Sequence, residues 1–267
     1  MKAVMNHLGF EFKSIIRDKT LLLMNYLFPL AFYFMMAAIM PGINPDFGRS
    51  MIPAMIAFTI TVSSLLGMPT PFVAAKEKGI YRSYKIYGVP LKSVLFIPAF
   101  STIIHITIIS LIIYITGLTV FHAARPENLL YFCGIYGSSL FALNGLGLLL
   151  GVCSPNSRIT VLLAQLIFLP SMMLGGIMMP SGFLPGTLQK IGRILPVTHA
   201  MNAFRALTLN QPPAFNTTIS IVVLLSGGLL AYLLAAYLFT WDPKNNSAKR
   251  SFLGFLALAP FVVSIFM

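Results

Sequence analysis

Acidic residues are the scarcest chemistry in this sequence. Six Asp and Glu stand against 18 Lys and Arg in 267 residues. Charged residues make up 9% of the chain, where a soluble domain carries about 25%. That is too little charge to keep a chain of this size in solution, so a soluble enzyme and a disordered protein are both excluded. There are two cysteines, Cys133 and Cys153. They share one apolar run, and as a helix that run holds them roughly 30 Å apart, too far to bond within the chain. The sequence has no G-x-x-x-x-G-K-[ST], no H-E-x-x-H, no G-x-S-x-G and no Cys/His cluster at metal-ligand spacing. It therefore offers no P-loop nucleotide site, no metal site and no catalytic residues.

What the chain has is apolar length. Hydrophobic residues make up 57%, and the mean hydropathy is +0.86. A bilayer core about 30 Å thick needs roughly 20 apolar residues per helix. Six runs meet that length: 20–40, 51–74, 93–121, 129–152, 159–179 and 217–240. The third is long enough to tilt or to project past the lipid. Pro53, Pro69, Pro71 and Pro98 mark expected kinks. A seventh apolar piece, 251–267, contains Pro260. It fits a short span, an interfacial helix or a cap on the bundle.

Residues 1–19 are not a cleavable signal, because no small-residue cleavage site follows the apolar run behind them. Val4, Met5, Leu8, Phe12, Ile15 and Ile16 recur at helical spacing, with Lys2, Lys13 and Arg17 largely off that stripe. This predicts an amphipathic helix in the membrane interface. With the N-terminus inside and six spans, 13 of the 18 cations fall on the cytoplasmic side. The other five are Arg49, Arg125, Lys190, Arg193 and Arg205. The positive-inside rule therefore places the N-terminus in the cytoplasm, and it accounts for the net charge of +12 without a nucleic-acid partner.

All six acids lie outside the spans or at their edges. Ion-driven carriers usually keep carboxylates within the membrane, so that class is disfavoured. His105, well inside the third run, fits a hydrogen bond between helices better than a proton relay. Asn144 and Gln165 are candidates either to line a path or to hydrogen-bond between helices.

Two segments outside the spans carry pattern. In 75–90, Lys78, Arg82 and Lys85 share one helical face, and Ile80, Tyr84 and Tyr87 share the opposite one. This predicts a short cytoplasmic helix, stopped by Gly88 and Pro90, whose aromatic face suits a groove on a protein partner. In 175–209, Leu184, Leu188, Ile191 and Leu195 make one stripe, with Gln189, Lys190 and Arg193 facing away. Pro196 interrupts, and 200–209 resumes a helical pattern. The segment fits either an interfacial loop or a pair of short helices dipping into the outer leaflet.

These residues resemble the membrane subunit of type-2 ATP-binding cassette (ABC) exporters, over 1–243. Glu77-Lys78-Gly79 followed by Gly88-Val89-Pro90 resembles that family's E-[RK]-G-T-L-E…T-P stretch. Pro180, Leu184-Pro185, Leu188-Gln189, Leu195-Pro196, Thr198 and Arg205 resemble its P…LP..LQ……LP.T……R signature, and Trp241-Asp242 its ending. Ile80-Tyr81-Arg82 departs from T-L-E, and His199 stands where Tyr is common.

The resemblance implies an all-α polytopic membrane protein of six transmembrane helices. It also implies an N-terminal interfacial helix, a cytoplasmic coupling helix and an extracellular re-entrant hairpin. Residues 1–243 would form one transmembrane domain, and 244–267 a C-terminal extension. Two permease subunits, identical or related, would join two ABC ATPase subunits, which bind ATP and Mg; this chain binds no cofactor. The coupling helix would use Lys76, Glu77, Lys78, Gly79, Arg82, Tyr84 and Tyr87 against the ATPase. Pro180, Pro185, Pro196, Thr198 and Arg205 would form the extracellular gate, where Arg205 anchors the hairpin or neutralises a head group. The cargo would be amphipathic, lipid-like or drug-like, exported across the plasma membrane. Two other classes remain open on the residues alone: a non-transporting multi-span protein with an immunity or sensor-anchor role, and an ion-coupled carrier.

Overall fold

Ten of the eleven helices among the described residues follow from the apolar runs and the two patterned segments. The computed structural model describes residues 2–44, 47–178, 183–242 and 252–266. Helix α1 is Lys2–Arg17. Six helices are long and apolar enough to cross a membrane: α2 Lys19–Ile43, α3 Phe47–Glu77, α5 Leu91–Thr119, α6 Leu129–Cys153, α7 Ser157–Leu174 and α10 Thr217–Leu238. Between α3 and α5 lies α4, Ile80–Ile86. Between α7 and α10 lie α8, Gly186–Gly192, and α9, Pro196–Thr208. The last described helix is α11, Leu253–Phe266, apolar but shorter than the six. No strand occurs among the described residues.

The six long helices match the six apolar runs within a few residues at each end. Proline leaves a local mark rather than a break. A π turn, Leu23–Leu27, comes just before Pro29, and another, Ser63–Gly67, just before Pro69. Proline has no N–H and its ring crowds the carbonyl four residues back. The wider turn relieves that crowding: the Met68 amide donates five residues back, to the Ser63 carbonyl at 3.0 Å.

Helix α3 is the axis of the bundle, with 94% of its most apolar stretch buried. It is packed by α2, α5, α6, α7 and α9. The closest approach is to α6, where a Cβ on Gly147 would lie 1.9 Å from the Ser64 carbonyl oxygen. No larger residue fits there without parting the two helices. By contrast α2 and α7 are 28% buried and carry apolar side chains outward, among them Leu27, Ile39, Leu162 and Leu166. These faces suit lipid or another apolar surface.

Alternation of the spans puts α1, α4, the α6–α7 turn and the end of α10 at one end of the bundle. The hairpin α8–α9 is at the other. At the first end α1 lies on α5, with the Phe12 ring stacked 4.2 Å from that of His105. His105 is also hydrogen-bonded to the Tyr26 hydroxyl, as a histidine held between helices. The expected stripe of α1 is divided. Ile15 is buried and Leu8 and Phe12 half-buried, whereas Met5 and Ile16 point outward. Helix α11 lies against α6, α9 and α10: Phe261 is fully buried over Gly227, and Gly254 sits on Cys153.

Candidate functional site

The end of α3 is fastened to the α6–α7 turn by two consecutive residues of opposite charge. Lys76 is buried, and its Nζ donates to the Val152 carbonyl, 3.1 Å away, in the last turn of α6. Glu77 is exposed, and its carboxylate accepts from the Ser157 amide at 3.0 Å and the Ser157 hydroxyl at 2.5 Å, at the first turn of α7. The last carbonyls and first amides of a helix lack partners inside it. A cation belongs at the first and an anion at the second. Lys76 and Glu77 therefore meet the matching pole of each helix. Lys76 was expected on the partner-facing surface; it is not there, because its side chain closes the end of α6.

A turn at Lys78-Gly79 follows, and Gly79 has φ of 72°, a left-handed conformation that favours glycine. It redirects the chain into α4. The expected aromatic face of α4 is corrected by the structure. Tyr81 is the buried residue, 5% exposed, with ring centroids 5.0 Å from Phe72 and 5.7 Å from Phe239. Tyr84 is half-buried, edge-on to His7 of α1 at 5.9 Å. Burial holds both phenols above the usual tyrosine range, with the nearby Glu11 carboxylate adding to it. So Tyr84, expected beside Ile80 and Tyr87 on the partner-facing side, is turned inward next to Tyr81, while Ile80 and Tyr87 are exposed as expected. Left outward are Lys78, Arg82, Lys85, Ile86 and Tyr87, the last two 76% and 83% exposed.

At the opposite end the pair α8–α9 is held by polar contacts to its own turn, to the bend after α7 and to the loop before α10. Pro185 is exposed and precedes α8; Pro196 is buried and opens α9, where a missing N–H costs nothing. Thr198 Oγ1 donates to the Gly192 carbonyl at 2.6 Å, and His199 Nε2 lies 2.7 Å from the Arg193 carbonyl. Both close the end of α8. Arg205 Nη2 donates to the Gly176 carbonyl at 3.0 Å, tying α9 to the bend after α7. Pro180 lies outside the described residues. Residues 196–204 are all buried. Asn202, which the sequence did not single out, joins α9 to the loop before α10. Its Nδ2 donates to the Phe215 carbonyl and the Ser220 hydroxyl, and its Oδ1 accepts from the Ala214 amide at 2.8 Å.

Helix α8 has the reverse of the usual arrangement. Leu188 and Ile191 of its apolar stripe are exposed, whereas Gln189 and Arg193 line a cavity of about 360 Å³. Thr198, Met201, Asn202 and Arg205 of α9 line it from the other side. The Arg193 guanidinium lies 4.6 Å over the Phe215 ring.

The two polar residues within spans differ. Asn144 is fully buried; its Oδ1 accepts from the Tyr232 hydroxyl at 2.8 Å, and its Nδ2 reaches the Ala99 carbonyl at 3.4 Å. That is the hydrogen bond between helices, and it keeps Asn144 off any open path. Gln165 is on the exposed face of α7. No cluster of three or more His, Cys, Asp or Glu that could hold a metal occurs among the described residues.

Comparison with known proteins bears on the family and the membrane fold. The model of a family described as "ABC-2 type transporter" matches residues 6–209. Nodulation protein J of Rhizobium meliloti (strain 1021) is 27% identical over 85 residues. That stretch covers 32% of this chain and 32% of the relative's length.

Proposed function

The chain belongs to the ABC-2 type transporter family, as a multi-pass membrane subunit that is not itself catalytic, and from that premise we propose that it forms the translocation path of an exporter. ATP and Mg are handled by a separate ATPase subunit, present in two copies, and a second permease subunit, identical or related, completes the path. The cargo is amphipathic, in keeping with the apolar spans. The complex sits in the cell membrane with α1 and α4 in the cytoplasm, an orientation supported by the 13 cations on that side.

The observation that carries this reading is the surface of α4. Exposed Ile86 and Tyr87 stand beside exposed Arg82 and Lys85, on a helix anchored at its root by Lys76 and Glu77. An aromatic anchor beside arginine is the composition of an interface centre. A push on α4 passes through the Lys76–Glu77 clamp into α6 and α7, and through α7 into the hairpin. That is rigid-body coupling between distant sites. Pro185, Pro196, Thr198 and Arg205 then hold the hairpin as the extracellular gate.

The test is to purify the chain from its own membrane and assay the eluate for Mg-dependent ATP hydrolysis. Vesicles of the same complex are assayed for ATP-driven export of a fluorescent amphiphile. We expect co-purified ATPase with the native chain and a loss of it with the Ile86→Ala/Tyr87→Ala double variant. An aromatic anchor contributes about 2 kcal/mol or more, so retention should fall roughly thirty-fold. An eluate without hydrolysis, and export unchanged in the double variant, would overturn the coupling assignment.

A further inference from the structure

The cavity behind α8 is cationic in a protein that keeps few cations at that end. Three of the five cations on that side of the chain, Lys190, Arg193 and Arg205, belong to the hairpin. Two of these, Arg193 and Arg205, line the cavity, and no carboxylate lines it among the described residues. Glu127, an acid on the same side of the topology, accepts a hydrogen bond from Asn210 and is not in the wall.

The geometry of each guanidinium suits a ligand. Arg193 Cζ lies over the Phe215 ring, 4.6 Å from its centroid. A cation–π contact of a guanidinium is compatible with N–H donation to a carboxylate or phosphate. Arg205 comes from α9, where Thr198, Met201, Asn202 and Arg205 recur at spacings of three and four and so face the same space. Its contact with the Gly176 carbonyl holds it there. The rest of the wall is largely apolar: Leu174, Met201, Pro212, Pro213 and Phe215. The exposed loop 212–214 borders it. Two cations in a wall that sets Gln189, Thr198, Asn202 and Gln211 beside these apolar residues complement an anion attached to an apolar body.

We propose that this cavity binds the oxyanion head group of an amphiphile, a phosphate above all, with Arg193 and Arg205 as its two hydrogen-bonding cations. The site lies in the hairpin that the export reading uses as a gate and deepens that reading. Binding itself needs neither ATP nor a partner, so its failure and the failure of ATP coupling are separate results.

The test uses the full chain in phosphatidylcholine nanodiscs, with and without phosphatidylglycerol. Native mass spectrometry counts retained lipid, and thermal unfolding follows stability. A parallel titration compares inorganic phosphate with sodium chloride at equal ionic strength. We expect preferential retention of phosphatidylglycerol, an accompanying rise in Tm, and weaker retention as salt increases. Arg193→Gln should weaken binding at least tenfold, and Arg193→Lys should weaken it less, keeping the charge but not the planar fork. Gln189→Glu places a carboxylate in the wall without touching either arginine and should also abolish retention. It decides the matter if Arg193→Gln does not fold. A saturable shift with phosphate alone, lost in the same variants, supports the site and identifies a free anion as sufficient. Equal retention of both lipids together with equal responses to phosphate and chloride would overturn the proposal. So would Gln189→Glu binding as tightly as the native chain.

Discussion

Helix α4 at one end of the bundle and helix α9 at the other are both short, both follow a proline- or glycine-marked turn, and are built in opposite ways. In α4 one aromatic ring, Tyr81, is buried and the apolar residues Ile86 and Tyr87 stand in the open. In α9 residues 196–204 are buried, and polar side chains are turned inward onto carbonyls and amides of the hairpin. The first helix spends little of its surface on its own fold and keeps the remainder for contact. The second is held by its own fold at almost every residue. A surface meant to be touched and a segment meant to be held differ in where their polar groups find partners, more than in composition.

The sharpest test of this contrast is a pair of tyrosines six residues apart. Tyr81→Ala removes a ring packed on Phe72 and Phe239 and should cost about 3–5 kcal/mol, the range for buried aromatic truncation. Tyr87→Ala should change stability by no more than about 0.5 kcal/mol while reducing retention of the partner subunit. Denaturation of the purified chain measures both. Equal destabilisation by the two would break the contrast, since it would make Tyr87 part of the fold.

Next in size is Asn202→Ala. Three good hydrogen bonds disappear together, and buried partners are left without a mate. Each such loss is worth about 1 kcal/mol or more, so a cost near 2–3 kcal/mol is expected, with faster proteolysis of the loop 211–215. The corresponding change at the other end, Lys76→Met, keeps the packing volume and leaves one Val152 carbonyl unmet. About 1 kcal/mol is expected there, with a larger fall in export than in stability if the clamp transmits motion. Export that tracks stability in proportion would reduce Lys76 to a structural residue.

How much of this was legible in the sequence follows from what the membrane demands. A span has to supply about 20 apolar residues, so all six were legible to within a few residues. The proline effects were legible as positions and not as π turns. Orientation of the short helices was only half legible. In water an apolar stripe faces the core, but in a bilayer the lipid is as apolar as the core, so a stripe does not say which way it points. For that reason the Leu188–Ile191 stripe of α8 was readable while its outward direction was not, and Arg193 was read as facing away from the stripe without its place in a cavity wall. Tyr81 was hidden for a related reason: with three tyrosines in α4 and its turn, periodicity alone did not identify the buried one. Lys76 was hidden because a buried lysine at the end of α6 requires knowing that Val152 is its neighbour. Asn202 gave no signal beyond being a polar residue in an apolar-looking helix.

The smallest effect belongs to Glu11, which sits on α1 beside α4. Burial raises its carboxyl above the usual value, partly offset by His7, whose Nε2 is 3.7 Å from Glu11 Oε1. A carboxyl with a raised folded-state pKa is better accommodated protonated than charged. Its contribution to stability is therefore greatest below the unfolded value of 4.5 and declines as pH rises through that value towards the raised one. At neutral pH the charge is a net burden on the α1–α4 contact. Glu11→Gln should then raise Tm slightly at pH 7 and leave it nearly unchanged at pH 4, measured on the full chain in neutral detergent. A lower Tm at pH 7 would show that the His7 contact outweighs burial. The contrast would sharpen in that case, because a charge pair one turn apart within α1 would then firm the surface on which the inward side of α4 rests.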